Sequence, residues 1–395
     1  MQLGFILFLT VVLAFLFGMH YAFFRSIVCF FDITRPLEKI FIYTAMTALT
    51  FSFISAFMLL HRYPNDWTIW YYRITAGWTG LLINLVLAVG ATWLIVGVAR
   101  VTGYAIHPKK MVTIFLTGAL LFSIWGLWRA FHPEIREIDI PIGSRSGKWQ
   151  DYRIVQLSDV HLGFLRGKAF ADRMVDRVNA LDPDLIMVTG DLFDGIGGFY
   201  DAFIEPLNQL KARRGIFFVT GNHEHYAGIG RTLAVIGKTN ITILDNETVD
   251  INGLQVIGVS YPGIRHNADI AGLADIKPSD AYRILLFHTP TSILLPSSGQ
   301  KSRHVSTYWM PDTSYDHNRQ LGVDLQLSGH THYGQIFPFN LITRLLYRGN
   351  DYGLKRHGAL LLYTSSGVGT WGPPLRTAGK SEIVLIRFRQ IDADP

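Results

Sequence analysis

The chain has 395 residues, too many for one ordinary domain, and its positive mean hydropathy with only 17% charged residues places part of it in lipid. Its net charge of +6 lies entirely in residues 1–130, with nine Lys/Arg against three Asp/Glu, while the rest carries 27 of each sign; a polyanion-binding catalytic face is therefore not indicated. The single cysteine, Cys29, excludes an intramolecular disulfide framework and a cysteine-based metal cluster, so any metal must be held by His, Asp, Glu or Asn.

Four apolar runs come first, at residues 3–24, 40–60, 74–99 and 111–128, and none contains Asp, Glu, Lys or Arg. At about 1.5 Å per residue, each crosses a hydrocarbon core or comes close to it. Charges appear at once outside them (Arg25, Lys39, Arg62, Arg73, Arg100, Lys110, Arg129), and Tyr21, Trp67, Trp70, Tyr71, Tyr72, Tyr104 and Trp128 gather near several ends as an interfacial belt. The first run starts without a basic segment and is followed by three more, so it reads as an anchor rather than a cleaved signal. Residues 1–130 are thus expected to form a four-helix transmembrane domain, with the lipid bilayer as partner. Loops one and three hold Arg25, Arg35, Lys39, Arg100, Lys109 and Lys110; the second holds Arg62 and Arg73, and Arg129 and Arg136 follow the last span. By the positive-inside rule both termini then face away from the cytoplasm, a balance that Arg145 and Lys148 level when counted. His20 and Asn84, alone in apolar spans, are read as interhelical hydrogen-bonding groups.

Residues 131–151 are expected to be a linker and the first edge of a soluble domain occupying 152–395. There, short apolar strands alternate with amphipathic or loop segments, the pattern of a sheet domain with helices. Several strands run directly into metal-binding side chains: 153–157 into Asp159 and His161, 185–189 into Asp191 and Asp194, 216–219 into Asn222, His223 and Glu224, 284–287 into His288, and 324–327 into His330 and His332. Phe170, Met174, Val178 and Leu181 recur at helical spacing between the first two. Gathered at one sheet edge, Asp159, His161, Asp191, Asn222, His288, His330 and His332 form an oxygen- and imidazole-rich set suited to divalent Mn, Fe or Zn. Glycines precede Asp191, Asn222 and His330, where a tight turn lets each loop approach closely. In Asp-x-His and His-x-His both members face one side of an extended strand.

The ordered series Asp-x-His, Gly-Asp-x-x-Asp, Gly-Asn-His-Glu, a later His and Gly-His-Thr-His resembles the calcineurin-like metallophosphoesterase superfamily over residues 152 to about 388. The resemblance implies an α/β sandwich of two mixed β-sheets flanked by helices. It implies one metal on Asp159, His161, Asp191 and His332, a second on Asp191, Asn222, His288 and His330, and a bridging Asp191. His223 corresponds to the residue that protonates or stabilises the leaving group. Two such cations deprotonate a shared water, which attacks phosphorus in line. Ser328–Ile336, Ser365–Gly369, Pro374–Arg376 and Ser381–Ile383 resemble the membrane-associated bacterial, phosphodiesterase-like branch, which implies an inner-membrane location. That branch includes relatives cleaving the pyrophosphate of UDP-2,3-diacylglucosamine. Tyr333, where the branch has Gly, and a longer stretch between His288 and Gly329 depart from its pattern.

The expected activity is hydrolysis of a lipid-linked phosphoester or pyrophosphate, since tethering restricts the site to the interface. The alternatives are a nucleotide or nucleic-acid phosphodiesterase, a pyrophosphatase of the UDP-diacylglucosamine type, and a sensor with an inactive hydrolase fold. Aromatic–basic interleaving for strand binding is absent from the sequence, so no nucleic-acid partner is expected. Asp194 and Glu224 read as groups that steady the loops. Arg376 reads equally as a phosphate grip or a carboxylate partner, and residues 291–320, with Leu294, Leu295, Tyr308, Trp309 and Met310, as a lid or a surface insertion. His225, His266, His304, His317 and His357 receive no role.

Overall fold

The structure, a computed structural model, describes residues 2–142, 149–150, 152–261, 281–293 and 310–390. The chain forms two compact units, Met1–Trp128 with Gly372–Thr377, and Arg129–Trp371 with Ala378–Pro395.

The first unit is built on helices α1 (Gln2–Phe30), α2 (Pro36–Arg62), α3 (Asp66–Thr102) and α4 (Pro108–Phe131). All four are long and apolar enough to cross a membrane. Each outruns its apolar stretch because the flanking polar residues continue or cap the helix. In α3, Asn65 and Thr68 close a reciprocal capping box and Gly103 ends the helix in the left-handed conformation, giving 37 residues. At 1.5 Å per residue α3 is about 55 Å long, so its ends extend beyond a hydrocarbon core of about 30 Å. The lone polar residues find partners on other helices, as expected: Trp78 Nε1 donates to His20 Nε2 at 2.9 Å, and Asn84 Nδ2 donates to Ser123 Oγ at 2.8 Å. The segment Gly372–Thr377 joins this unit through the Arg376 N–H, which donates to the Gly126 carbonyl at 3.0 Å.

The second unit is a sandwich. One sheet contains β1 (Glu134–Ile142), β2 (Arg153–Leu157), β3 (Leu185–Thr189), β4 (Ile216–Val219), β5 (Thr242–Ile243) and β12 (Glu382–Gln390), in the order β1-β12-β2-β3-β4-β5. The other contains β6 (Glu247–Ile251), β7 (Leu254–Val259), β8 (Tyr282–Phe287), β9 (Leu325–Ser328), β10 (Gly353–His357) and β11 (Leu360–Thr364), in the order β10-β11-β9-β8-β7-β6. Both are mixed: β12 pairs antiparallel to β2 and parallel to β1, and β6–β7 and β10–β11 are antiparallel pairs. Side chains alternate across a strand, so consecutive apolar residues feed different cores. In β3, Leu185 and Met187 enter the core between the sheets, while Ile186 and Val188 enter the one beneath α5 (Lys168–Asn179). In β8, Ile284 and Leu286 face the inter-sheet core, and Leu285 and Phe287 face a third, with Tyr315, Leu321 and Val323.

Phe170, Met174 and Val178 form the buried face of α5, and Leu181 packs just past its end. The remaining helices are short: α6 (Ile204–Asn208), α7 (Asn222–Ala227), α8 (Ile229–Ile236), α9 (Asp316–Gln320) and α10 (Phe339–Leu346).

Candidate active site

β2, β3 and β4 are parallel neighbours in one sheet, and β8 and β9 are parallel neighbours in the other. Their C-terminal ends therefore open on one edge of each layer, and the chain must turn sharply on leaving them. Asp159, His161, Asp191, His330 and His332 all have φ between 50° and 71°, so the Asp-x-His and His-x-His pairs sit in turns past the strand ends and not on extended strands. That left-handed conformation costs a non-glycine residue on the order of 1–3 kcal/mol, and it gathers where function holds it in place. Asp and His tolerate it better than bulky or β-branched residues. The neighbouring loops come close enough to require glycine: a Cβ on Gly221 would lie 2.2 Å from Asp191 Oδ1, and one on Gly329 would lie 2.1 Å from Asp159 Oδ2.

The seven side chains singled out from the sequence are brought together. Asp159 Oδ1 lies 3.2 Å from His332 Nε2, which is 3.0 Å from His161 Nε2, and His161 Nε2 is 3.9 Å from Asp191 Oδ2. On the other side, His288 Nε2 is 3.2 Å from the same Asp191 Oδ2 and 3.2 Å from Asn222 Oδ1, and His330 Nδ1 is 3.0 Å from Asn222 Oδ1 and 3.2 Å from His288 Nε2. Among the described residues, three triads have donor atoms mutually within 4.8 Å: Asp159–His161–His332, Asp159–Asp191–His288 and His161–Asp194–His223. Metal–ligand distances of about 2.0–2.2 Å put adjacent donors of an octahedral ion about 3 Å apart, so these spacings fit divalent cations.

Charge and orientation agree with that fit. Asp159 and Asp191 are buried, and among the described residues their ion-pair partners are histidines alone. Burial acts to raise both carboxyl pKa values, but His332 and His288 around Asp159, and His288 and His223 around Asp191, hold them below the usual range. Burial would lower the His288 pKa, yet Asp191 and Asp159 outweigh it and push it up to about 10. Burial and the neighbouring His288 take His330 down to about 3, and burial with His223 and His332 keeps His161 well below its ordinary value. The cluster thus offers ionised carboxylates and, at His161 and His330, neutral imidazoles, the forms that ligate metals, while at His288 a cation would displace the proton that Asp191 favours. His288 Nδ1 donates to the Thr189 carbonyl at 2.8 Å, which leaves Nε2 as the ring nitrogen facing the cluster. Asp159 is fixed by the His330 N–H at 3.1 and 3.0 Å and by Ser158 Oγ at 2.5 Å.

His223 lies beside this cluster, its ring edge-on to His161 with centroids 4.5 Å apart. Its Nδ1 accepts from the Gly195 N–H at 3.0 Å, with Asp194 Oδ1 at 3.6 Å. That contact leaves Nε2 to carry the proton. Burial pulls the His223 pKa down, but Asp191 and Asp194 outweigh it and raise it. The loop-steadying reading of Glu224 is met directly: its carboxylate accepts from the N–H groups of Asp191 at 2.9 Å, Phe193 at 3.1 Å and Gly221 at 2.7 Å, clamping two loops together. Burial, then Asp191, pushes its pKa up to about 7.

Two aromatic residues beside His223 were not foreseen. The Tyr226 ring lies 5.3 Å and the Trp371 ring 6.4 Å from its ring, and both are exposed. Tyr226 follows His223 by three on α7, a spacing that puts both on one helical face. Trp371 had no local signal. Tyr333 also has a left-handed backbone, and its ring packs on Tyr352 at 4.8 Å. The other histidines lie on carbonyl or amide oxygens: His225 on Tyr261, His317 on Ile293 and His357 on Asn350. His266 and His304, with residues 294–309 of the 291–320 stretch, lie outside the described residues.

Residues 152–334 match the family model described as calcineurin-like phosphoesterase. An uncharacterized metallophosphoesterase of Helicobacter pylori is 36% identical over 291 residues, 71% of this chain and 72% of its own length. An uncharacterized metallophosphoesterase of Campylobacter jejuni is 33% identical over 70% of each chain. A Danio rerio protein described as a transmembrane protein with metallophosphoesterase domain is 29% identical over 71% of this chain and 63% of its own. Aligned strand ends, a buried set of carboxylate and imidazole donors and these relatives converge, and the chain belongs to the calcineurin-like metallophosphoesterase family as a metal-dependent phosphoester hydrolase with transmembrane helices.

Proposed function

We propose that this protein is a membrane-anchored dinuclear phosphohydrolase acting on a lipid-linked phosphoester or pyrophosphate. The observation that carries the reading is the division of the donor atoms into two sets sharing Asp191 Oδ2, 3.9 Å from His161 Nε2 and 3.2 Å from His288 Nε2. Asp159, His161, Asp191 and His332 would hold one divalent cation, and Asp191, Asn222, His288 and His330 the other. When bound, such a pair neutralises phosphate oxygens and lowers the pKa of water to make the nucleophile. The protein's own part is positional. Glu224 and the Asp159 hydrogen bonds hold the donor loops in their left-handed turns, and His223 presents an Nε2–H to the departing oxygen. Four helices long enough to cross a bilayer tether the catalytic unit to a membrane, which favours an amphiphilic substrate.

The test is to strip the purified full-length protein of metal, reload it with Mn, Fe or Zn, and assay p-nitrophenyl phosphate, bis-p-nitrophenyl phosphate, nucleotides and lipid pyrophosphates. Turnover should require two cations per chain and should be highest on a lipid-linked substrate. A preference for soluble nucleotides, or full turnover with one cation, would sink the proposal.

A further inference from the structure

Helix α10 is amphipathic in the wrong sense for a helix packed on its own domain. Leu345, four positions after Leu341 and three after Ile342, shares a helical face with both, and the three are 79%, 57% and 50% exposed in that order. Thr343 lies on the inward side, where its Oγ1 donates to Asp351 Oδ2 at 2.9 Å, and the neighbouring Tyr347 is buried with its ring 6.4 Å from that of His330. A surface helix normally buries its apolar stripe. Single exposed apolar residues need no explanation, but three on one face form a patch that marks an interaction site.

The charges around the patch indicate its occupant. Between Gln335 and Asn350 there is no acidic residue, while Arg344 on the helix and Arg348 just past its end are exposed. An apolar face bordered by arginines is the composition of a helix lying in a membrane interface, with guanidinium groups on lipid phosphates. The chain also keeps lipid within reach: α4 ends at Phe131 and β1 begins at Glu134.

We propose that α10 is an interfacial anchor, inserting Leu341, Ile342 and Leu345 at the headgroup–acyl boundary and binding anionic lipid phosphates through Arg344 and Arg348. Docking there is coupled to the site through Asp351, which accepts from Thr343 by its carboxylate and from Thr331 Oγ1 of Gly-His-Thr-His by its carbonyl at 2.6 Å. A lipid held at α10 therefore bears on the loop that carries His330 and His332.

The docking is read without any assay of hydrolysis, so its failure is distinct from failure of the proposed function. A full-length Cys29→Ala protein, labelled with an environment-sensitive fluorophore at Leu345→Cys, is reconstituted in phosphatidylglycerol-containing vesicles with brominated acyl chains. Lys355→Cys, exposed on β10, is the reference position. The label at 345 should shift to the blue and be quenched at least about threefold more than at 355, as for a side chain buried in the boundary region. Charge reversal by Arg344→Glu with Arg348→Glu should remove most of that difference. Equal quenching at the two positions would overturn the proposal, and so would a label at 345 shielded from both brominated lipid and aqueous iodide, which would mean a protein partner covers the face.

Discussion

Asp191→Ala is expected to lose bound metal and hydrolysis together, with turnover down at least about a hundredfold, the scale of losing a group that acts only as part of a unit. No other side chain of the cluster shares one oxygen between the two donor sets, and the Asp191 Oδ1 also accepts from the His223 N–H at 2.8 Å. Removing it takes away the charge that raises the His288 pKa and releases the hydrogen bond that seats the start of α7. Asp191→Asn keeps the shape and separates the two effects: it should preserve folding, measured by thermal unfolding of the stripped protein, while still binding less metal. Elemental analysis showing full metal content in Asp191→Ala at normal turnover would refute the bridging role.

His223→Ala should behave differently. Both cations should remain, because the ring lies beside the donor cluster and its Nδ1 is held by Gly195. Turnover should fall by roughly a hundredfold or more on a poor leaving group, the scale of a lost general acid. The loss should shrink for p-nitrophenol, which departs without a proton. An equal loss for good and poor leaving groups would instead make His223 a residue that orients phosphate. Tyr226 and Trp371 flank the ring, so part of any effect of changing them should appear as a change in its pH profile.

The seven donors were legible because each lies within a few residues of an apolar strand end, and parallel strands deliver their ends to the same edge. The order of the motifs, rather than any one of them, carried the information. Other features depend on long-range packing that a local pattern does not contain. The left-handed turns at Asp159 and Asp191 are imposed by loops approaching from Gly329 and Gly221, 170 and 30 positions away in sequence. Residues 134–142 pair in parallel with 382–390, a register set by the far end of the chain. The grouping of Gly372–Thr377 with the helices was equally hidden, and it places the ambiguous Arg376, fully buried, in the helical unit. For α10 the amphipathic spacing was readable, but only the fold shows which face points outward. The membrane helices outrun their apolar stretches for a simpler reason: polar caps extend a helix past the residues that make it apolar.

The origin of the donors also has a mechanical consequence. Asp159, Asp191 and Asn222 leave one sheet of the sandwich, whereas His288, His330 and His332 leave the other, so each proposed cation set draws from both layers. Ligation at either set would then act as a rivet through the sandwich, opposing shear between layers that otherwise hold together by their apolar core and by hydrogen bonds such as Gln156 Nε2 to the Ser328 carbonyl at 2.9 Å. At a cation concentration about a hundred times the dissociation constant, binding adds about 2.7 kcal/mol to the folded state. For a unit of this size that corresponds to about 5–10 °C in unfolding temperature. Chelation should therefore lower the melting transition of the sandwich and raise hydrogen exchange in β3 and β8 together, leaving the helical unit unaffected; a fall in protection confined to one sheet would show that the rivet does not pass through both.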